Sequence, residues 1–480
     1  MRLAAAAVLA ALLLAAGATE GRTAAPVGIW RGTFAFGAGT DRVPFSVELR
    51  GARVTVVMGG FHPVETVARA VRNGARVRFA VPGRPTSLRF DGRLRGRLLA
   101  GRVSQAGAAG SFRLRRGAHL DARSLGLYAL PDGRSLSVAE NSFAGRTGVL
   151  FDDGEVRKLT RLRAGVYEVG AGFGVRAPAA GQLHFAGAAA TGRFGATELA
   201  ATRLPLRQEE VRFRGPAGWL AGTLTLPPGA GPHPAVTFAH GAGATKRDVL
   251  STFSLFYARH GLATLAVDKR GIGLSTGTWP GEAASESSLD AYARDVEAAA
   301  RFLAAQPEID RARLGVSGGS QAGWIMPLAA SREPAIRFVA GLVPPTLSQG
   351  QTDLWADRAG KGAAPPSEPI ERIDADIAAM TPFGFDPMPS IRALHIPAVW
   401  IFGAEDRTVP TRLSVAALAP LAAEPGRDFT SVVLPRAGHG LIEAPNGLNA
   451  EASASSRFAA GLWTTLRDWL RARGLVRAVT

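Results

Sequence analysis

The chain reads as an α/β region with a mostly parallel sheet flanked by helices, preceded by all-β modules. Three observations predict it. Residues 28–117 alternate apolar and polar side chains with period two. After Leu226 short apolar runs alternate with amphipathic helical patterns. Between 313 and 326 a glycine-dense turn joins a strand to a helix. At 480 residues the chain exceeds one compact core, and roughly 150 residues per domain suggests two to four units.

Taken in order, residues 1–18 read as a signal peptide. Met1-Arg2 precedes an apolar run from Leu3 to Ala16, and Ala16-Gly17-Ala18 forms an A-x-A cleavage site. Export is expected, to the periplasm or the medium. The run is shorter than the ~20 apolar residues needed to span a bilayer, so no transmembrane segment is expected in the mature chain. The absence of cysteine excludes disulfides, a thiol nucleophile and cysteine lipidation. Residues 24–118 form an all-β domain, a small barrel or sandwich, exemplified by Pro44–Arg50 and Arg76–Val81. Residues 119–206 continue the pattern as a second β module, through Thr147–Phe151 and Gly165–Val169.

Charge divides the chain at the same place. Residues 1–206 carry 29 Lys and Arg against 13 Asp and Glu, a net of +16, whereas 207–480 carry 27 against 26. Such a basic region suits an anionic surface or polymer. It lacks the motifs and stacking aromatics of nucleic-acid binding, and a plain solvated face is the simpler alternative.

From 207 to 480 strands and helices alternate. Pro234–Ala239 is a strand running into His240-Gly241-Ala242-Gly243. Ser288–Leu303 places Leu289, Tyr292, Val296, Ala299, Ala300 and Leu303 on one helical stripe. Residues 342–389, rich in Pro, Gly and charge with a helical stretch at Ile370–Met380, read as a cap insertion. Two apolar strands follow: Ala398–Phe402 leads to Glu405-Asp406, and Ser431–Pro435 leads to a histidine between glycines, His439.

Chemistry concentrates at the 313–326 turn. A serine held on a strained strand-to-helix turn leaves room only for small residues two before and two after it; Gly318 and Ala322 fill those places around Ser320. A literal G-x-S-x-G also occurs at Gly315, Ser317 and Gly319, but its helix would have to open through two glycines. Ser320 is therefore the candidate nucleophile, and Ser317 is read as the last residue of the strand. Asp406 is the candidate acid, with Glu405 its neighbouring alternative, and His439 the candidate base. The order Ser, Asp, His is that of the nucleophile-elbow enzymes. The oxyanion donors are expected to be the N–H of Gln321 and that of Ala242, with Gly241 the competitor. The remaining histidines lack metal-ligand spacing, and no cofactor is expected.

With these motifs the region from about Val211 onward resembles the bacterial esterase, dienelactone-hydrolase and prolyl-oligopeptidase-like α/β-hydrolases. Asp268-Lys269-Arg270-Gly271-Ile272-Gly273-Leu274-Ser275 resembles their D-x-R-G-x-G-x-S turn. The resemblance implies a serine hydrolase acting on small carboxylic esters through an acyl-enzyme. A prolyl-oligopeptidase-like peptidase is the nearest alternative, and a non-catalytic envelope-binding protein using the basic β region is the alternative of another class.

Overall fold

The computed structural model describes residues 28–36, 43–58, 64–81, 86–117, 120–141, 146–151, 153–170, 179–281 and 284–476. The expected signal peptide, 1–18, lies outside the described residues. Three sheets account for the strands, and residues 119–480 form one compact unit while most of 28–118 forms another.

The first sheet has nine strands, two runs of chain neighbours joined where the first strand pairs antiparallel with the last. Gly28–Phe36 and Ala108–Gly117 pair at its centre, with Val64–Arg69 on one edge and Val71–Asn73 on the other. Alternation explains its two faces. Val77, Phe79, Phe90, Phe112 and Leu114 turn inward, and Phe34, Phe45, Phe90 and Phe112 meet with ring centroids 5.1–6.0 Å apart. The intervening arginines turn outward. The second module is a closed eight-stranded barrel, from Gly126–Ala129 to Thr197–Arg203, closed by Tyr128 opposite Arg203. Its interior is filled by Tyr128, Leu136, Val138, Tyr167, Val169 and Leu183, all fully buried, so it is a packed core and not a channel.

The third sheet has eight strands: β1 (Arg207–Gly215), β2 (Gly218–Leu226), β3 (His233–Ala239), β4 (Ala263–Val267), β5 (Ile309–Gly319), β6 (Phe338–Leu342), β7 (Ala398–Gly403) and β8 (Phe429–Leu434). Their order is β1-β2-β4-β3-β5-β6-β7-β8, parallel from β4 onward. Every residue of β3, β4, β6 and β7 is buried, as expected for strands covered on both faces. One face packs on α2 (Glu286–Ala304) and α3 (Ala322–Ala330), the other on α1 (Ser251–Arg259) and the C-terminal helix Leu462–Ala472. Between β6 and β7 the chain forms helices Gln349–Arg358, Ile370–Ala378 and Met388–Arg392. The first two close over a small core of Trp355, Ile373 and Ile377.

The barrel is joined to this sheet by packing and by backbone pairing. Leu127 and Ala139 of the barrel pack on Leu255 of α1. Val156 N–H donates to Ser456 O at 2.7 Å, and Phe458 N–H to Gly154 O at 2.9 Å. Phe458 pairs in turn with Ile442, and Ala437 with Glu443. Among the described residues no helix is long and apolar enough to cross a membrane.

Candidate active site

β5 ends in Gly318 and Gly319, which pair with Gly341 and Leu342 of β6. The strand thus continues two residues past Ser317, where the sequence reading ended it, because glycines at this crowded crossing still complete the ladder. A Cβ on Gly318 would lie 2.4 Å from Ala239 O and 2.6 Å from the Ala322 Cβ. That distance is the physical basis of the small-residue requirement. Ser320 follows with φ of 57°, a left-handed conformation that costs a serine of order 1–3 kcal/mol and is held only by its surroundings. Ser320 N–H donates to Leu342 O, and Gly323 N–H donates back to Ser320 O.

The turn delivers the hydroxyl to a histidine. Ser320 Oγ lies 3.0 Å from His439 Nε2, and His439 Nδ1 lies 2.9 Å from Asp406 Oδ2. Next to a carboxylate acceptor, Nδ1 carries the proton and Nε2 is left to accept from the serine. The carboxylate is fixed as well: Asp406 Oδ1 accepts from the N–H groups of Thr408 and Val409 at 2.7 and 2.9 Å. Asp406 and His439 are buried. Glu405, the alternative acid, pairs with Arg407 at 3.3 Å, while Asp406 is the carboxylate hydrogen-bonded to the imidazole. His439 sits at the tip of a tight hairpin whose arms are Arg436–Gly438 and Leu441–Ala444. Ser317 is buried below the turn; its hydroxyl donates to Ala340 O and accepts from Tyr257.

The expected oxyanion donors flank the same hydroxyl. Gln321 directly precedes α3, where the first N–H groups of a helix have no partner inside it and favour negative charge. On the other side, a Cβ on Gly241 would lie 3.6 Å from the Ser320 Cβ, which brings the Gly241–Ala242 peptide next to the serine. His240 is consumed structurally: Nε2–H donates to Val267 O at 2.6 Å and Nδ1 accepts from Thr245. Burial, then nearby Lys269, push its pKa down to about 3. Asp268 accepts from the N–H groups of Arg247 and Leu274, and Arg270 grips Asp295 through two nitrogens. Both therefore brace the turn after β4. Sequence reasoning passed over Lys269 between them; a lysine at the buried end of a strand was the available signal. Among the described residues no group of three His, Asp or Glu could hold a metal ion.

A parallel sheet in this strand order, with a left-handed serine between β5 and α3, decides the fold. The region from Arg207 onward has the α/β-hydrolase fold. The end of the barrel and the first half of the α/β region, residues 184–348, match the family model for FrsA-like esterases. The match takes in Gly241, Ala242, Ser320 and Gln321 but stops before Asp406 and His439. Two similar proteins are Esterase FrsA of Enterobacter sp. (strain 638), 39% identical over 82 residues, and Esterase FrsA of Escherichia coli O1:K1, 35% identical over 82 residues. Each alignment covers 17% of this chain and 20% of the relative, so the chain spans about a fifth of the length of the curated relatives it matches. Among solved structures, an esterase of Pyrococcus furiosus is 16% identical with a TM-score of 0.39, covering 56% of this chain and 91% of its own. A dienelactone hydrolase of Anabaena variabilis is 18% identical with a TM-score of 0.35, covering 57% and 99%.

Proposed function

We propose that the protein is an exported serine hydrolase of carboxylic esters, with Ser320 as nucleophile, His439 as general base and Asp406 as its orienting acid. The hydrogen-bonded chain from Ser320 Oγ through His439 to Asp406, set on a strained elbow, carries this reading. The similarity to FrsA-like esterases supports it. Export is supported by the Leu3–Ala16 run and its A-x-A site.

In this mechanism Ser320 Oγ forms a bond to the ester carbonyl carbon while its proton passes to His439 Nε2. The carbonyl oxygen becomes an oxyanion facing the N–H groups of Gln321 and Ala242. Collapse breaks the carbon–oxygen bond to the alcohol, which leaves with the proton from Nε2. Water, deprotonated by the same nitrogen, then releases the acid and restores Ser320. An ester is favoured over a peptide because the described residues between 28 and 203 form a nine-stranded sheet and an eight-stranded barrel, and neither is a propeller of the kind the peptidase type carries. Ser320→Ala is expected to abolish both turnover of p-nitrophenyl esters and labelling by a fluorophosphonate, while Ser317→Ala remains labelled. Aminoacyl anilides cleaved faster than any ester of the series would replace the esterase reading with the peptidase one.

A second reading concerns the N-terminal sheet, whose outer face is proposed to hold the protein on an anionic polymer. Arg78 and Arg102 flank Asp91 in the ladder, while Arg76 stands opposite Arg93 and Arg31 opposite Arg115. Arg76 is already paired with Asp91; the like charges of Arg93, Arg102 and Arg113 on the same face are unfavourable, and a polyanion would offset them. Retention on immobilised heparin should fall steeply with salt and be lost in the Arg93→Gln/Arg102→Gln/Arg113→Gln protein; unchanged retention there reduces the face to ordinary solvation.

A further inference from the structure

We infer that Lys269 is a positioning residue for the oxyanion loop, its ammonium holding the Gly241–Ala242 peptide with the N–H turned to the serine side. The inference rests on the assignment of Ser320 as nucleophile.

Lys269 is buried at the end of β4. Its Nζ donates to Gly241 O at 2.6 Å and to Gly243 O at 2.8 Å, and lies 4.8 Å from the centre of the Tyr292 ring. Burying an ammonium is costly unless it finds acceptors. Its acceptors include two carbonyls of one glycine-rich turn, and an aromatic face lies beside it.

Peptide geometry supplies the consequence. In a trans peptide the C=O and N–H point in opposite directions. Gly241 O and the Ala242 N–H belong to one peptide unit, so fixing the oxygen on Lys269 aims the N–H away from it. Ser320 is a close neighbour of this unit, its Cβ 3.6 Å from where a Cβ on Gly241 would stand, and we place it on the N–H side. The glycines leave the turn free to choose other orientations; the ammonium removes that freedom. It also polarises the peptide, and a donor opposite a cation is stronger for it. His240 cannot take over, because its two nitrogens are engaged by Val267 O and Thr245. Asp268 is equally committed, to Arg247 and Leu274.

The test compares Lys269→Met, which keeps the apolar stem over Tyr292, with the wild type on a p-nitrophenyl ester. Rates are expressed per site titrated with a fluorophosphonate, so that misfolded molecules are not counted. Removing one oxyanion donor outright costs about 10²–10³ in kcat; a misaligned donor should cost roughly 10- to 100-fold, with KM within about threefold. Affinity for a trifluoromethyl ketone, bound as the anionic hemiketal, should fall in parallel with kcat. Should Lys269→Met not fold, Lys269→Gln, which retains an N–H donor without the charge, carries the same comparison with a smaller loss. A folded variant whose kcat per titrated site and ketone affinity stay within twofold of wild type overturns the inference. A wild-type protein that is not labelled at Ser320 overturns the nucleophile assignment instead.

Discussion

Asp406 accepts three hydrogen bonds, from His439 Nδ1–H and two backbone N–H groups, and only a carboxylate can accept them all. Asparagine there turns a donor on one of them and favours the wrong tautomer of the imidazole. Asp406→Asn should therefore lower kcat about 10³- to 10⁴-fold, while Glu405→Gln stays within about threefold; a reversal of the two in steady-state assays would move the acid by one residue. Two other histidines set acid stability. Burial, followed by nearby Lys269 for His240 and by Arg259, Arg467 and Arg471 for His260, lowers both pKa values to about 3. Above pH ~6.5 neither group affects stability, since both states are neutral. As pH falls below ~6.5 the unfolded chain takes up protons that the native state refuses until about pH 3, so stability drops by about 1.4 kcal/mol per pH unit for each histidine. In urea titrations between pH 6 and 4, His260→Gln should flatten the slope by one such increment. An unchanged slope would mean that His260 protonates in the folded protein.

The element that decides the site is the passage from β5 to α3, and its demands are steric. Gly318→Ala places a Cβ 2.4 Å from the backbone oxygen of Ala239, which cannot rotate away. Overpacking of this kind costs about 1–3 kcal/mol, so the variant should lose several degrees of Tm and most of its fluorophosphonate labelling rate. A Tm and rate equal to wild type would show that β3 yields there. Such demands are local, and for that reason they were legible: Gly318, Ala322 and the order Ser320, Asp406, His439 can be read within short windows. Strand β5 was read two residues short because Gly318 and Gly319 look like a turn until β6 is alongside. Lys269 was not legible as a partner of Gly241, 28 residues earlier, since nothing periodic links them. The closure of the barrel by Tyr128 and Arg203 is invisible for the same reason.

At the scale of the molecule, the boundary placed at residue 207 marks a change of pattern, whereas the packing runs across it. A fragment of 207–480 would expose Leu255 to water and leave Ser456 O and Phe458 N–H without Val156 and Gly154. Unmet backbone groups and an uncovered leucine together cost several kcal/mol. The fragment should melt well below a 119–480 protein and turn over esters more slowly, because the 456–458 segment that supports the His439 hairpin has lost its outer neighbour. Equal melting temperatures and rates for the two proteins in calorimetry and ester assays would reduce the barrel to an appendage.

That ladder of Gly154–Val156, Ser456–Phe458 and the His439 hairpin also sets an order in time. Along the chain the barrel comes first, Ser320 follows, and the segment that stitches the His439 hairpin to the barrel comes after both. A partly folded chain can therefore hold a formed elbow whose serine has no imidazole beside it. Reactivity arrives only when residues 456–458 dock on a barrel that is already formed and bring His439 to Ser320.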